Sequence, residues 1–263
     1  MNLLIYILAI VIGAATGGIT SLIGASGVMI IVPILTMLFK INVHAAIGTS
    51  LFVDVIASLT VAYSYYKNGN IELKSGAWIA LSSIIGAQLG ALFSSKIGEG
   101  NLSSSFGVVL IIAGLSMFRK SFKEKRDSSD KVVGFIKFKA EWQKILAALI
   151  IGLGIGILSG IFGAGGGVMI LLALIILMSF PLHKAIGTST LIMAITALSS
   201  TIGYAVRGNI NILLGILLSA GAVVGGILGS RYANKINEKT LQRTVGICFM
   251  AMGIAMTIIT IIK

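Results

Sequence analysis

Asp54 is the one carboxylate lying well inside an apolar stretch of this chain. An acid at membrane depth is a functional candidate by default, because it carries a proton or an ion unless it sits near an end where water reaches it. Just before it the phrase IGTS places hydroxyls at Thr49 and Ser50 beside Gly48, and the same phrase recurs as Gly187, Thr188 and Ser189. Neutral hydroxyl donors suit a site that binds an oxyanion and then releases it. Ser and Thr also bond back to their own helix carbonyls, and both readings stay open.

A third set is made of glycine. Gly24, Ala25, Ser26 and Gly27 precede VMI, and Gly163, Ala164, Gly165, Gly166 and Gly167 precede VMI again. Clustered glycines break a helix. A helix restarting at Val28 or Val168 would aim its N-terminal N–H groups, carrying about half a positive charge, at whatever lies beyond, which suits an anion. Such a break is tolerated at membrane depth only where it is buried in protein or lines a cavity. The alternative is a tight turn at a membrane face.

Other polar groups carry less. His44 and His183 stand at segment starts, where interfacial structural roles suffice. Lys184 and Arg207 lie near segment ends and would draw anions toward an entrance, or simply set topology. Gln88 is a further polar group in a span, and its mate in the second half is Ile227. No HExxH, GxSxG or GxxxxGKS phrase and no pair of intramembrane acids appears, so the expectation is a non-enzyme without cofactor or metal. With no nucleotide motif, any transport would be driven by a gradient.

The elements that must position these groups follow from composition. Of 263 residues, 57% are hydrophobic and 11% charged, with a mean hydropathy of +1.05. Soluble domains average about 25% charged residues, and this chain lacks the polar surface to cover a water-soluble core. It reads as an integral membrane protein with the lipid bilayer as its surroundings. Residues 3–23 read as a retained span rather than a signal peptide, since no positive region precedes them. Cys248 has no partner for an intrachain disulfide. The net charge of +12 does not point to nucleic acid, because nine of the 20 Lys/Arg fall between Arg119 and Lys144 with no aromatic platform.

Sliding the chain by 139 residues lays the second half on the first: HAAIGTS meets HKAIGTS, and GNI at 69–71 meets GNI at 208–210. The domain reading is a first transmembrane repeat over 1–119, a charged loop over 120–144 and a second repeat over 145–263. Apolar segments fall at 3–23, 28–39, 45–66, 75–95 and 102–118, then at 145–162, 168–180, 185–206, 211–230 and 241–262. The spacings Gly13/Gly17, Gly86/Gly90, Gly152/Gly156/Gly160 and Gly221/Gly225/Gly229 read as helix packing. If all five segments cross in each half, the repeats are inverted, because five is odd. A cytoplasmic central loop then leaves 16 Lys/Arg inside and four outside; if the short segments do not cross, the count is 13 against seven. The positive-inside rule favours inversion. The fold class expected is therefore an all-α polytopic membrane protein of two inverted repeats, with roughly eight to ten transmembrane helices, some broken.

A glycine-rich break, an apolar segment with Pro33 (GASGVMIIVPIL) and then AIGTS, repeated after a basic loop, resembles the TauE/SafE sulfite exporter family, also called TSUP. The resemblance covers the whole chain. It departs at Ser26, where the family prefers a longer glycine run, and at Ala173, which stands opposite Pro33. It implies a bacterial or archaeal plasma-membrane permease for sulfite, sulfonates, thiosulfate or related small anions, with seven to nine spans. The expectation is a secondary transporter whose small-molecule anion sits between the two glycine breaks near Thr49, Ser50, Thr188 and Ser189, with Asp54 in a coupling role. A passive anion channel and a membrane scaffold are the alternatives, and a homodimer is compatible with all three.

Overall fold

The computed structural model describes residues 3–24, 26–94, 141–162, 166–176 and 180–262, with the single positions 115 and 178. The apolar segment expected at 102–118 and nearly all of the charged loop lie outside these residues. Nine helices are described: α1 Leu3–Ile23, α2 Val28–Met37, α3 Val43–Lys67, α4 Leu73–Ser94, α5 Glu141–Phe162, α6 Gly166–Ile176, α7 Leu182–Val206, α8 Ile212–Lys235 and α9 Glu238–Ile262. The described residues form no strand.

Local chemistry explains where these helices start and stop. Asn42 caps α3, its side chain accepting from the Ala45 N–H, and Asn211 caps α8 by accepting from Leu214 N–H. The repeated GNI phrase is a helix stop. Gly69 and Gly208 take left-handed φ angles of +71° and +68° after α3 and α7. Asn70 and Asn209 then donate N–H bonds back to the Tyr65 and Tyr204 carbonyls at 2.9 and 3.0 Å. The glycine phrases end α1 and α5 as expected, but α6 begins at Gly166, two residues before the expected Val168. Glycine lowers helix propensity without forbidding a first turn, where the backbone N–H groups have no intrahelical partner anyway.

Four described helices are long and apolar enough to cross a membrane: Ile5–Ile23, His44–Lys67, Leu182–Val206 and Ile212–Lys235. On α8 small residues share the buried side with Leu214 and Leu218. The buried side of α8 carries Gly215, Ser219, Gly221, Ala222, Gly225 and Ser230, while Ile212, Leu213, Ile216, Val224 and Leu228 face outward. Large apolar side chains are satisfied by lipid tails, so the helix interface is left to residues that let backbones approach. Ile10, Ala14 and Gly18 of α1 lie against Gly221, Gly225 and Gly229 of α8, where a Cβ would overlap a carbonyl or side-chain oxygen.

That register makes α1 and α8 parallel. Gly215 lies beside Phe52 and Thr49 while Gly226 lies beside Val61 and Thr60, so α3 also runs parallel to α8. Since α1 and α3 run the same way, the chain from 24 to 42 must return across most of the structure, with the 10-residue α2 at its centre. The corresponding helices α3 and α7 are antiparallel. Gly48, early in α3, packs under Asn209 at the end of α7, and Gly187, early in α7, packs under Asn70 at the end of α3. The all-α polytopic fold is thus organised about a pseudo-twofold relation that pairs α1 with α8, α4 with α5 and α3 with α7.

Candidate functional site

Asp54 is the twelfth of the 25 residues of α3, about 17 Å along the helix from its start and about 20 Å from its end. It is 3% exposed. Its carboxylate meets the reversal between α1 and α2. The Ser26 hydroxyl donates to Oδ2 at 2.8 Å and the Gly27 N–H donates to Oδ1 at 3.3 Å. Ser26 Oγ in turn accepts from the Val28 N–H at 3.2 Å. The acid from α3 therefore sits where a capping group would sit on α2, opposite the positive end of that helix.

The reversal is buried in protein rather than exposed at a face. Gly24, Ser26, Gly27 and Val28 are all buried. Gly24 has φ +64°, which glycine adopts without strain. Ser189 Oγ donates to its carbonyl at 3.2 Å, and a Cβ there would fall 2.6 Å from that hydroxyl. The reversal is thus held between α3 of the first half and α7 of the second. Two more hydroxyls lie on the flanking helices, one on α1 and one on α3. Thr20 Oγ1 would stand 3.6 Å from a Cβ on Gly27. Ser58 is one helical turn beyond Asp54 on the same face of α3. Both oxygens are buried and lack a hydrogen-bond partner.

The hydroxyls of the IGTS phrases divide. Thr49 Oγ1 accepts from the Asn211 N–H at 2.8 Å, and Thr188 Oγ1 accepts from the Glu72 N–H at 3.0 Å. These bonds are mirror images, since Thr49 and Asn211 correspond to Thr188 and Glu72 under the 139-residue shift. With Gly48 under the Asn209 carbonyl and Gly187 under that of Asn70, each phrase forms a clasp on the loop that follows the partner helix. Ser50 bonds back to Ala46 O at 2.7 Å, while Ser189 is shared between Ile186 O and Gly24 O.

Of the residues singled out in sequence, Gly24, Ser26, Gly27, Asp54 and Ser189 come together at the first break. Thr49 and Thr188 join opposite ends of the α3/α7 pair. Gly166 and Gly167 open α6, and Gly167 is buried. Ala25, Gly163, Ala164 and Gly165 lie outside the described residues. His44 is exposed, and His183 Nε2 lies 3.0 Å from Ala233 O. Thr20 and Ser58 were not singled out. Their signal was helical spacing: Thr20 lies four residues before Gly24 and Ser58 four after Asp54. Among the described residues, no group of three or more His, Cys, Asp or Glu could hold a metal.

The chain is similar to two proteins of Bacillus subtilis. "Probable membrane transporter protein YunE" is 29% identical, over 94% of this chain and 96% of that protein. "Probable membrane transporter protein YdhB" is also 29% identical, over 87% and 91%. A "Probable membrane transporter protein" of Methanocaldococcus jannaschii is 27% identical, over 97% and 96%. No solved structure matches. The profile of the family described as "Sulfite exporter TauE/SafE" matches residues 9–256. A buried helix reversal inside a multi-pass apolar bundle and a profile spanning nearly the whole sequence lead to one conclusion: the chain belongs to the TauE/SafE family of membrane transporters.

Proposed function

We propose that this membrane transporter is a secondary permease of small anions, sulfite or another sulfur-containing oxyanion or organosulfonate, working by alternating access between two inverted repeats. The observation that carries the reading is the buried reversal between α1 and α2. Non-helical backbone at membrane depth is tolerated where it is enclosed by protein or lines a water-filled cavity. Paired broken helices at the interface of inverted repeats are the sequence pointer to a midplane transport site. The two breaks are not equal. Asp54 already occupies the anion position at α2, and its counterpart is Met193, 3% exposed. The anion is accordingly assigned to the second break, Gly163–Gly167, whose half carries Met193 at the position matching Asp54. Asp54 is assigned to coupling.

In this reading the repeats extend over 1–119 and 145–263, the loop 120–144 is cytoplasmic, and the protein resides in the cell membrane. It performs no catalysis and uses no cofactor; its partners are the anion, lipid and, in a homodimer, a second copy. The test is counterflow in proteoliposomes loaded with sulfite, thiosulfate, a sulfonate, acetate or sulfate, following entry of labelled sulfite. Accumulation only with sulfur-oxyanion loading is the expected result. Uptake that never exceeds equilibrium with any load would mark a channel, and no uptake by folded protein would remove sulfite as the substrate.

A further inference from the structure

The first break holds a buried acid without a basic partner among the described residues. The partners of Asp54 are the Ser26 hydroxyl and the Gly27 N–H, and no basic side chain among the described residues pairs with it. A carboxylate taken out of water at this depth is costly unless it is neutralised by a proton or a cation. The same break carries a second anomaly, the unpartnered oxygens of Thr20, 1% exposed, and Ser58, 0% exposed. A buried hydroxyl without a partner costs about 1–3 kcal/mol.

One occupant resolves both. A proton would neutralise Asp54, which no hydrogen bond joins to Thr20 or Ser58. A small hard cation would neutralise the charge and take hydroxyl oxygens as ligands, as such cations do. The helix termini agree. Thr20 lies in the last turn of α1, the negative end of that helix. The positive end of α2 is already met by the Asp54 carboxylate. Gly27 thus lies between the two groups, its N–H on the Asp54 carboxylate and its α-carbon facing Thr20 at the negative end of α1. The break is also closely packed: a Cβ on Gly27 would lie 3.2 Å from Thr16 Cβ and 3.6 Å from Thr20 Oγ1.

We propose that Asp54, Thr20 and Ser58, at the break between α1 and α2, form a binding site for a sodium ion. The inference rests on the transporter reading and names its coupling ion. The ion bridges α1 and α3 and so fixes the break between them. Its binding makes the conformational change at this break depend on sodium.

The test separates binding from transport. Thermal stability of the purified full chain is titrated with NaCl, keeping total salt constant with choline chloride, and again with KCl. Equilibrium binding of radioactive sodium is measured alongside. The expected result is a saturable sodium-specific rise in Tm. Thr20→Val and Ser58→Ala each weaken apparent sodium affinity by about 10- to 100-fold, and Asp54→Asn abolishes the response while the protein still elutes as a folded species. Equal shifts with sodium, potassium and choline would overturn the site. So would a sodium response untouched by Thr20→Val and Ser58→Ala. Counterflow that runs equally well without sodium would also overturn it, yet leave the transporter reading standing. Sodium binding without any counterflow would do the reverse.

Discussion

The two clasps and the two breaks obey opposite rules. Each clasp is a faithful copy of the other: glycine under an asparagine carbonyl, and threonine accepting an N–H, at both ends of the α3/α7 pair. The breaks differ. The positions that hold Asp54 and Ser58 in the first half hold Met193 and Ala197 in the second, both buried. A clasp joins backbone to backbone and fixes the angle between halves, so both halves need the same device. On the proposed reading one break meets a cation and the other an anion, which need opposite electrostatics, so copying would be counterproductive. Symmetry here marks scaffold, and its loss marks chemistry.

The largest effect should come from erasing the difference. Asp54→Met writes the second half's residue into the first. Counterflow should fall to background in protein that remains folded by size-exclusion chromatography, because α2 loses its cap and the break loses its only charge. Wild-type transport by this variant would show that the asymmetry is incidental. Next in size are the clasp glycines. Gly48→Val and Gly187→Val drive side-chain carbon into the carbonyls of Asn209 and Asn70, so each should lower stability by roughly 1–3 kcal/mol. The two losses should match, and because the clasps lie at opposite ends of α3 and α7, the double variant should be additive within about 0.5 kcal/mol. Denaturation midpoints that differ clearly between them would break the equivalence. Smallest are Thr49→Val and Thr188→Val, which leave the N–H groups of Asn211 and Glu72 without their acceptor. Each should cost about 1 kcal/mol, with Ser at either position restoring most of it.

The GNI phrase shows how far a repeated string carries. Its repetition was visible in sequence, and glycine at positive φ explains why the string stops a helix. That its asparagine carbonyl lies over the glycine of the opposite IGTS was not visible, because the contact joins residues 117 or 161 positions apart, Asn70 to Gly187 and Gly48 to Asn209. The IGTS hydroxyls read equally well as anion ligands or as back-bonded residues. Instead Thr49 and Thr188 reach N–H groups of the other half, a third outcome that no helical spacing encodes.

Asp54 makes the same point from the side of function. Its presence inside an apolar helix sufficed to single it out, since burying an acid in hydrocarbon is costly whatever the fold. Its partner, Ser26, lies 28 residues away within the glycine phrase, where the sequence offered only a break. Apolar segments, helix stops, breaks and internal repeats are set by neighbouring residues and by water avoidance, so the sequence by itself determined a multi-pass helical membrane protein built twice over. Which break received the acid, which hydroxyls were left unpartnered and which threonines became clasps depend on groups brought together from distant parts of the chain. Only the tertiary structure decided these, because burial and hydrogen-bond geometry exist between helices and not along them.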